Sequence, residues 1–138
     1  LPNPAIHCLI VDDDTDDQEI FSLAIADLPE GEYTCTFCDN ITEALNRMQQ
    51  SAVLPDFIFI DLNMPGLNGF QCLEKIKAYQ AFSNIPVIIY STSAENFYSA
   101  RAKALGAAAF ITKPPSISQL TKVLHNLFLT QQETKLAE

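Results

Sequence analysis

The chain has 138 residues, enough for one ordinary domain with a sizeable core. Hydrophobic residues make up 48% and charged residues 18%, a globular balance that excludes an intrinsically disordered chain. The net charge of −9 argues against nonspecific binding to nucleic acid or to an anionic membrane surface, since both need a positive field.

No apolar stretch approaches the roughly 20 residues of a membrane helix. The start, LPNPAIHC, lacks the basic first segment and long apolar centre of a signal peptide. Four cysteines in a chain with a large core fit reduced thiols. A cytoplasmic protein is the expectation.

The first predicted strand, residues 6–11, delivers an acidic cluster. Five of the six residues from Asp12 to Asp17 are aspartate, within VDDDTDDQEI. Thr15 followed by Gln18 is a capping-box pattern and predicts a helix start. Ile20, Phe21, Ala24, Ile25 and Leu28 then form one apolar stripe, and Pro29 ends the helix. Asp16 and Asp17 fall in its first turn, where the helix dipole favours negative charge. Asp14 borders the strand end, and its role stays open between neighbour of a site and plain surface charge.

Two metal or phosphate motifs fail at this stretch. Asp12, Asp14 and Asp16 match the first three ligand positions of an EF-hand loop. The required glycine is Asp17, however, and the terminal glutamate position is Leu23. A phosphatase motif of the form D-x-D-x-[TV] would accept Asp12 and Asp14, but its fifth position is Asp16.

The second predicted strand, residues 33–38, is mixed in polarity and reads as an edge strand. It carries Cys35 and Cys38 as C-x-x-C. On a strand, residues three apart face opposite ways, so the two thiols do not share a metal. Asn40 with Glu43 opens the second helix. The third strand, residues 57–60, runs into Asp61 and then LNMPGLNG. Asn68 or Gly69 opens the third helix, with Phe70, Leu73 and Ile76 on one face.

The fourth strand, residues 87–90, is followed by Ser91, Thr92 and Ser93. Thr92 with Glu95 opens the fourth helix, which stops at Gly106, a suitable residue just past a helix end. The fifth strand, residues 109–112, leads to Lys113, Pro114 and Pro115. Ser116 with Gln119 opens the fifth helix, whose core face is Ile117, Leu120, Val123, Leu124, Leu127 and Phe128. Residues 131–138 read as a polar tail, leaving residues 1–130 as the domain.

Five βα units with right-handed crossovers predict an α/β fold, a doubly wound five-stranded parallel sheet with helices on both faces. Ligands of such sheets bind beyond the carboxyl ends of the strands. That edge collects Asp12, Asp13, Asp61, Ser91 and Lys113. Two carboxylates about 4 Å apart repel by about 4 kcal/mol at an effective dielectric near 20. A divalent cation removes the conflict, and all-oxygen ligands suit Mg²⁺ or Mn²⁺. A lysine and a hydroxyl beside it suit a phosphoryl group. Asp61 stands apart from the acidic pair and is the natural carboxylate nucleophile, giving an aspartyl phosphate.

Four segments in order, LIVDD, IDLNMPGLNGF, IPVIIYSTS and GAAAFITKPP, resemble the receiver domain of bacterial two-component response regulators, the CheY-like family. The likeness runs from about residue 6 to residue 129. It implies a flavodoxin-like (βα)5 sheet of order 2-1-3-4-5. It implies Asp61 as phosphoacceptor and Asp13 as a direct Mg²⁺ ligand, with Asp12 assisting through water and the Asn63 backbone carbonyl as a further ligand. It implies Ser91 as the switch hydroxyl, Lys113 as partner of the phosphoryl group, a cis Lys113–Pro114 bond, and Phe110 at the aromatic switch position.

The implied partners are a sensor histidine kinase or histidine phosphotransfer protein and a downstream protein or output domain. A homodimer through the switch face is compatible with the family. The implied chemistry is that of a signalling switch that catalyses its own phosphorylation and autodephosphorylation, not of an enzyme acting on other substrates. A constitutive interaction module and a hydrolase of small phosphate esters are the competing classes. DNA-binding helices do not follow the fifth helix in this sequence, which leaves a stand-alone protein and a piece of a larger regulator both open.

Other polar residues have plainer readings. Thr92 competes with Ser91 for the switch role or caps its helix. Asn63 and Ser93 flank the site and are expected to affect the phosphoryl lifetime. His7 and His125 lie away from the acidic edge and are not phosphate carriers. Lys75, Lys77, Arg101 and Lys103 are expected on solvated helix faces, the last two with a possible share in a partner surface.

Overall fold

The structure is a computed structural model that describes residues 5–64, 66–92 and 96–137, the last six by backbone alone. The elements alternate as β1 (Ala5–Val11), α1 (Thr15–Ala26), β2 (Glu32–Cys38), α2 (Ile41–Gln50), β3 (Phe57–Asp61), α3 (Gly69–Ala78), β4 (Val87–Ser91), α4 (Asn96–Ala104), β5 (Ala109–Thr112) and α5 (Ile117–Ala137). The strands form one parallel sheet of order β2-β1-β3-β4-β5, as the resemblance implies.

Side chains alternate across each strand, so the two sheet faces receive different residues. On one face Ile6, Cys8, Ile10, Phe57, Phe59, Ile88 and Tyr90 pack with Phe21, Ala24 and Ile25 of α1 and Leu120, Leu124 and Phe128 of α5. On the other, Leu9, Val11, Ile58, Ile60, Val87 and Ile89 pack with α2, α3 and Ala102 of α4. All residues of β3 and β4 are buried, which is why they read as unbroken apolar runs. The edge strand β2 is mixed, as its sequence predicts. Cys38 is buried on the α2 side and Cys35 packs on the α1 side, so the C-x-x-C pair is divided between two cores.

The helix starts partly match expectation. Asn40 caps α2 by accepting from the Glu43 amide at 2.9 Å. Asn68 caps α3 in a reciprocal box with Gln71. Ser116 accepts from the Gln119 amide at 3.2 Å. Gly106 ends α4 at φ +98°, with Gly106 N–H donating to Lys103 and Ala107 N–H to Ala102, the Schellman pattern. The Thr92 start with Glu95 falls partly outside the described residues.

Three expectations are corrected, those for Thr15, Ile20 and Lys77. Thr15 is not the cap of α1. Asp14, one residue earlier, accepts from the amides of Asp16 and Asp17 at 2.9 and 3.2 Å, a charged acceptor serving two donors at once. Ile20 leaves the apolar stripe and is 39% exposed. At 100° per residue it lies a quarter turn from the face shared by Phe21, Ala24, Ile25 and Leu28.

The backbone of residues 131–137, expected as a polar tail, continues α5. Their Gln, Glu, Lys, Leu and Ala are good helix formers. Lys77 is half-buried, its ammonium donating to the Ser83 carbonyl at 2.9 Å, so it ties down the α3–β4 connection instead of sitting in solvent.

Candidate functional site

Strand register assembles the site. Val11 lies beside Ile60, Asp61 beside Tyr90, and Ser91 beside Thr112. Asp12, one step past β1, therefore stands beside Asp61 at the end of β3, and Lys113, one step past β5, stands beside the end of β4, next to β3 in the sheet. The ladder continues into the loops, with Asp12 N–H donating to Cys38, Leu62 N–H to Tyr90 and Lys113 N–H to Ser91. Backbone hydrogen bonds thus hold Asp12, Leu62 and Lys113 instead of leaving them on free loops.

The structure brings together the residues expected at this edge. Carboxylate oxygens of Asp12, Asp13 and Asp61 all lie within 4.8 Å of one another. Asp12 and Asp61 are buried, while Asp13 is exposed. Asp12 Oδ1 accepts from the Asp14 amide at 2.9 Å, and Asp61 Oδ1 accepts from the Asn63 amide at 3.2 Å. Ser91 is fully buried, and its hydroxyl accepts from the Asn63 side chain at 3.4 Å. Ser93 lies outside the described residues.

Lys113 reaches three carboxylates. Its Nζ stands 2.5 Å from Asp17 Oδ2, 3.4 Å from Asp61 Oδ1 and 3.6 Å from Asp12 Oδ2. The ammonium also lies over the Tyr90 ring, 4.7 Å from its centroid. Lys113–Pro114 is not cis, since among the described residues no peptide bond is. Trans is the ordinary form of an X–Pro bond, and the lysine reaches the site from it.

The electrostatics follow from burial. Asp12 is pushed up to about 6, first by burial and then by the charges of Asp61 and Asp17, against the Asp14 amide and Lys113. Burial works against the charged Lys113, yet the Asp17 hydrogen bond and the three carboxylates outweigh it and raise its pKa. Burial also raises the Tyr90 phenol to about 12. One ammonium serves Asp12, Asp17 and Asp61, with Asp13 close by, so negative charge is in excess. That excess, presented by oxygen ligands alone, fits a divalent cation of the Mg²⁺ or Mn²⁺ type.

Sequence reasoning missed Asp17 as a site residue. Its place in the first turn of α1 is as expected, but its carboxylate also holds Lys113. Gln18 was read as half of a capping box and instead donates to the Asp12 carbonyl at 2.7 Å, bracing the acidic loop. The signal for Asp17 was its helical spacing: one turn beyond Asp13, it points back over the strand ends. Phe110 is half-buried against the α4-side core. His7 is engaged by Thr34 and Thr36 hydroxyls at 2.7 and 3.3 Å, on β2 and away from the acidic edge. Arg101 is exposed on its helix face, as expected, and its guanidinium lies over the Phe70 ring at 5.4 Å.

Comparison with known proteins gives the family and the fold. The family profile "Response regulator receiver domain" matches residues 8–125. Response regulator Rre1 of Synechocystis is 28% identical over 127 residues, covering 92% of this chain. The match takes in 53% of Rre1, so this chain spans about half the length of that regulator. The phosphorylated cyanobacterial phytochrome response regulator RcpA superposes with a TM-score of 0.77 at 26% identity, covering 90% of this chain and 91% of RcpA. The Mn²⁺-bound form of response regulator Rcp1 superposes with a TM-score of 0.74 at 21% identity, covering 88% of this chain and 91% of Rcp1.

Proposed function

This chain belongs to the response regulator receiver domain family, and from that premise we propose that it is a phosphorylation-dependent signalling switch with Asp61 as phosphoacceptor. The observation that carries the reading is the position of Asp61. It ends the central strand, buried, between the Asp12–Asp13 pair and the Lys113 ammonium. The phosphorylated state of the similar RcpA supports it.

The donor would be a phosphohistidine on a sensor histidine kinase or histidine phosphotransfer protein. An Asp61 carboxylate oxygen attacks phosphorus in line. The P–N bond to the imidazole breaks, and its electron pair stays on the ring nitrogen. Lys113 offers the developing charge an ammonium held on a fixed stem, and Ser91 offers a hydroxyl. Both lie beside Asp61 before the reaction and need only a short shift to meet the transferring group. The same site supports slow hydrolysis of the protein's own aspartyl phosphate.

Asp12, Asp13, Asp61 and the Asn63 carbonyl would hold Mg²⁺ or Mn²⁺, with Asp13 bound directly and Asp12 through water. The Mn²⁺-bound Rcp1 lends support from the same fold. When bound, such a cation supplies positive charge to the oxygens of the transferring group.

Phosphorylation then biases a two-state face. Ser91 and Lys113 move to the phosphoryl oxygens, and Phe110 turns inward between α4 and β5, altering the surface offered to a downstream protein, an output domain or a second copy. The residues 1–130 form the switch on this reading. A cytoplasmic setting goes with it, and no helix among the described residues is long and apolar enough to cross a membrane.

The test is to incubate the chain with Mg²⁺ and acetyl phosphate and weigh it intact. The expected result is the mass gain of one phosphoryl group, lost in Asp61→Asn. No gain, or an equal gain in the variant, would sink the reading and leave a constitutive module on this fold.

A further inference from the structure

Lys113 is held by a residue outside the phosphoacceptor set. Of its three carboxylate neighbours only Asp17 is within ordinary hydrogen-bond distance, at 2.5 Å against 3.4 Å for Asp61 and 3.6 Å for Asp12. The ammonium rests on the Tyr90 ring, which closes one side of its range. Its side chain is 10% exposed, so water does little to screen the choice among the three. Asp17 comes from the first turn of α1, whose start is fixed by the Asp14 cap, and is itself anchored.

We propose that Asp17 is a positioning residue that draws the Lys113 ammonium off the Asp12 and Asp61 carboxylates, leaving them open to a divalent cation, and that it competes with a phosphoryl group on Asp61 for that ammonium. The geometry gives both effects. An ammonium released from Asp17 has two carboxylates less than 1 Å beyond hydrogen-bond reach. Closing on them, it would offset the negative charge that a cation would otherwise meet. Once a phosphoryl group occupies Asp61, the ammonium must leave Asp17 or be shared with it. The resting pair with Asp17 therefore favours metal loading and opposes the phosphoryl-bound state. The proposal rests on the reading of Asp61 as phosphoacceptor.

The test is a double-mutant cycle read by binding. Mg²⁺ affinity is measured by calorimetry in the wild type, Asp17→Asn, Lys113→Met and the double variant. Beryllofluoride, a non-covalent phosphoryl mimic, is then titrated at saturating Mg²⁺. Asp17→Asn is expected to weaken Mg²⁺ binding roughly three- to tenfold, the range of a partly exposed ion pair, and to tighten beryllofluoride binding by a similar factor. Both effects should vanish in the Lys113→Met background, and Asp17→Glu should restore both.

A loss of Mg²⁺ affinity that persists without Lys113 would show a plain field effect of one missing charge and overturn the proposal. So would beryllofluoride binding that Asp17→Asn leaves unchanged or weakens. A wild-type chain that binds neither Mg²⁺ nor beryllofluoride would instead overturn the reading of the site itself, and this proposal with it.

Discussion

Gly69 is pressed against Leu62. Its amide donates to the Leu62 carbonyl at 3.0 Å, and a Cβ on Gly69 would stand 2.8 Å from Leu62 Cα and 2.9 Å from the Asp61 carbonyl oxygen. Those are backbone atoms at the end of β3, so no side-chain rotation relieves the clash. Gly69 is what lets α3 begin directly over the loop that carries Asp61 and Asn63. Glycine to alanine within a helix ordinarily stabilises by up to about 1 kcal/mol. Here Gly69→Ala is expected to destabilise by about 1–3 kcal/mol, the range for overpacking, and to weaken Mg²⁺ binding as the loop shifts. Urea denaturation checks it, and a variant as stable as the parent would count against the contact.

Asp14 should behave as a cap and Thr15 should not. Asp14 accepts from two amides of the first turn of α1, whereas Thr15 is exposed and already helical. Asp14→Ala is expected to cost about 1 kcal/mol and Asp14→Asn much less, because asparagine also accepts from the turn. Thr15→Ala should stay within about 0.5 kcal/mol. Thermal unfolding of the three variants decides between the two residues, and equal losses for Asp14→Ala and Thr15→Ala would reject the assignment.

These two cases mark how far the sequence is legible. The apolar runs Phe57 to Ile60 and Val87 to Ile89 show the central strands because burial on both faces favours apolar side chains at every position until the strand ends, where Asp61 and Ser91 stand. The strand-end rule then places Asp12, Asp61, Ser91 and Lys113 on one edge. What it misses is set by single-residue geometry. Asp14 and Thr15 are both good caps by type, and the choice depends on which one has two free amides in reach. The Lys113–Asp17 pair joins residues 96 apart in the chain, and a helix-dipole role accounted for Asp17 well enough to hide it. The extension of α5 was hidden by polarity, since a helix past the core needs no apolar face.

Phe110 carries a further expectation. It is half-buried against the core beside α4, with Ser99 and Lys103 among its neighbours across the groove. If Phe110 turns inward on phosphorylation, as proposed, a phenyl ring leaves no polar atom to satisfy, whereas a tyrosine hydroxyl needs a partner or loses about 1–3 kcal/mol. Phe110→Tyr is therefore expected to lower the fraction of inward conformer in beryllofluoride-bound protein. NMR of the aromatic ring reads that fraction directly, and an unchanged value would remove the argument.

Asp12 gives the metal-free protein a pH dependence of unusual sign. Its folded carboxyl is raised from 3.8 to about 6, first because burial disfavours the charged form. The folded state therefore binds the proton more tightly than the unfolded chain. Stability from this group is fully present below pH 3.8 and is lost as pH rises to about 6, opposite to a carboxylate held by a salt bridge. Asp12→Asn removes the titration while keeping shape and hydrogen-bonding capacity. In metal-free buffer, the stability of Asp12→Asn relative to the parent should rise between about pH 4 and pH 6.5 and level off above it. Saturating Mg²⁺ should shrink the difference at high pH, because a cation stabilises the charged form that burial penalises. Denaturant midpoints across the range measure it, and a difference that stays flat with pH would show that Asp12 titrates alike in the folded and unfolded chain.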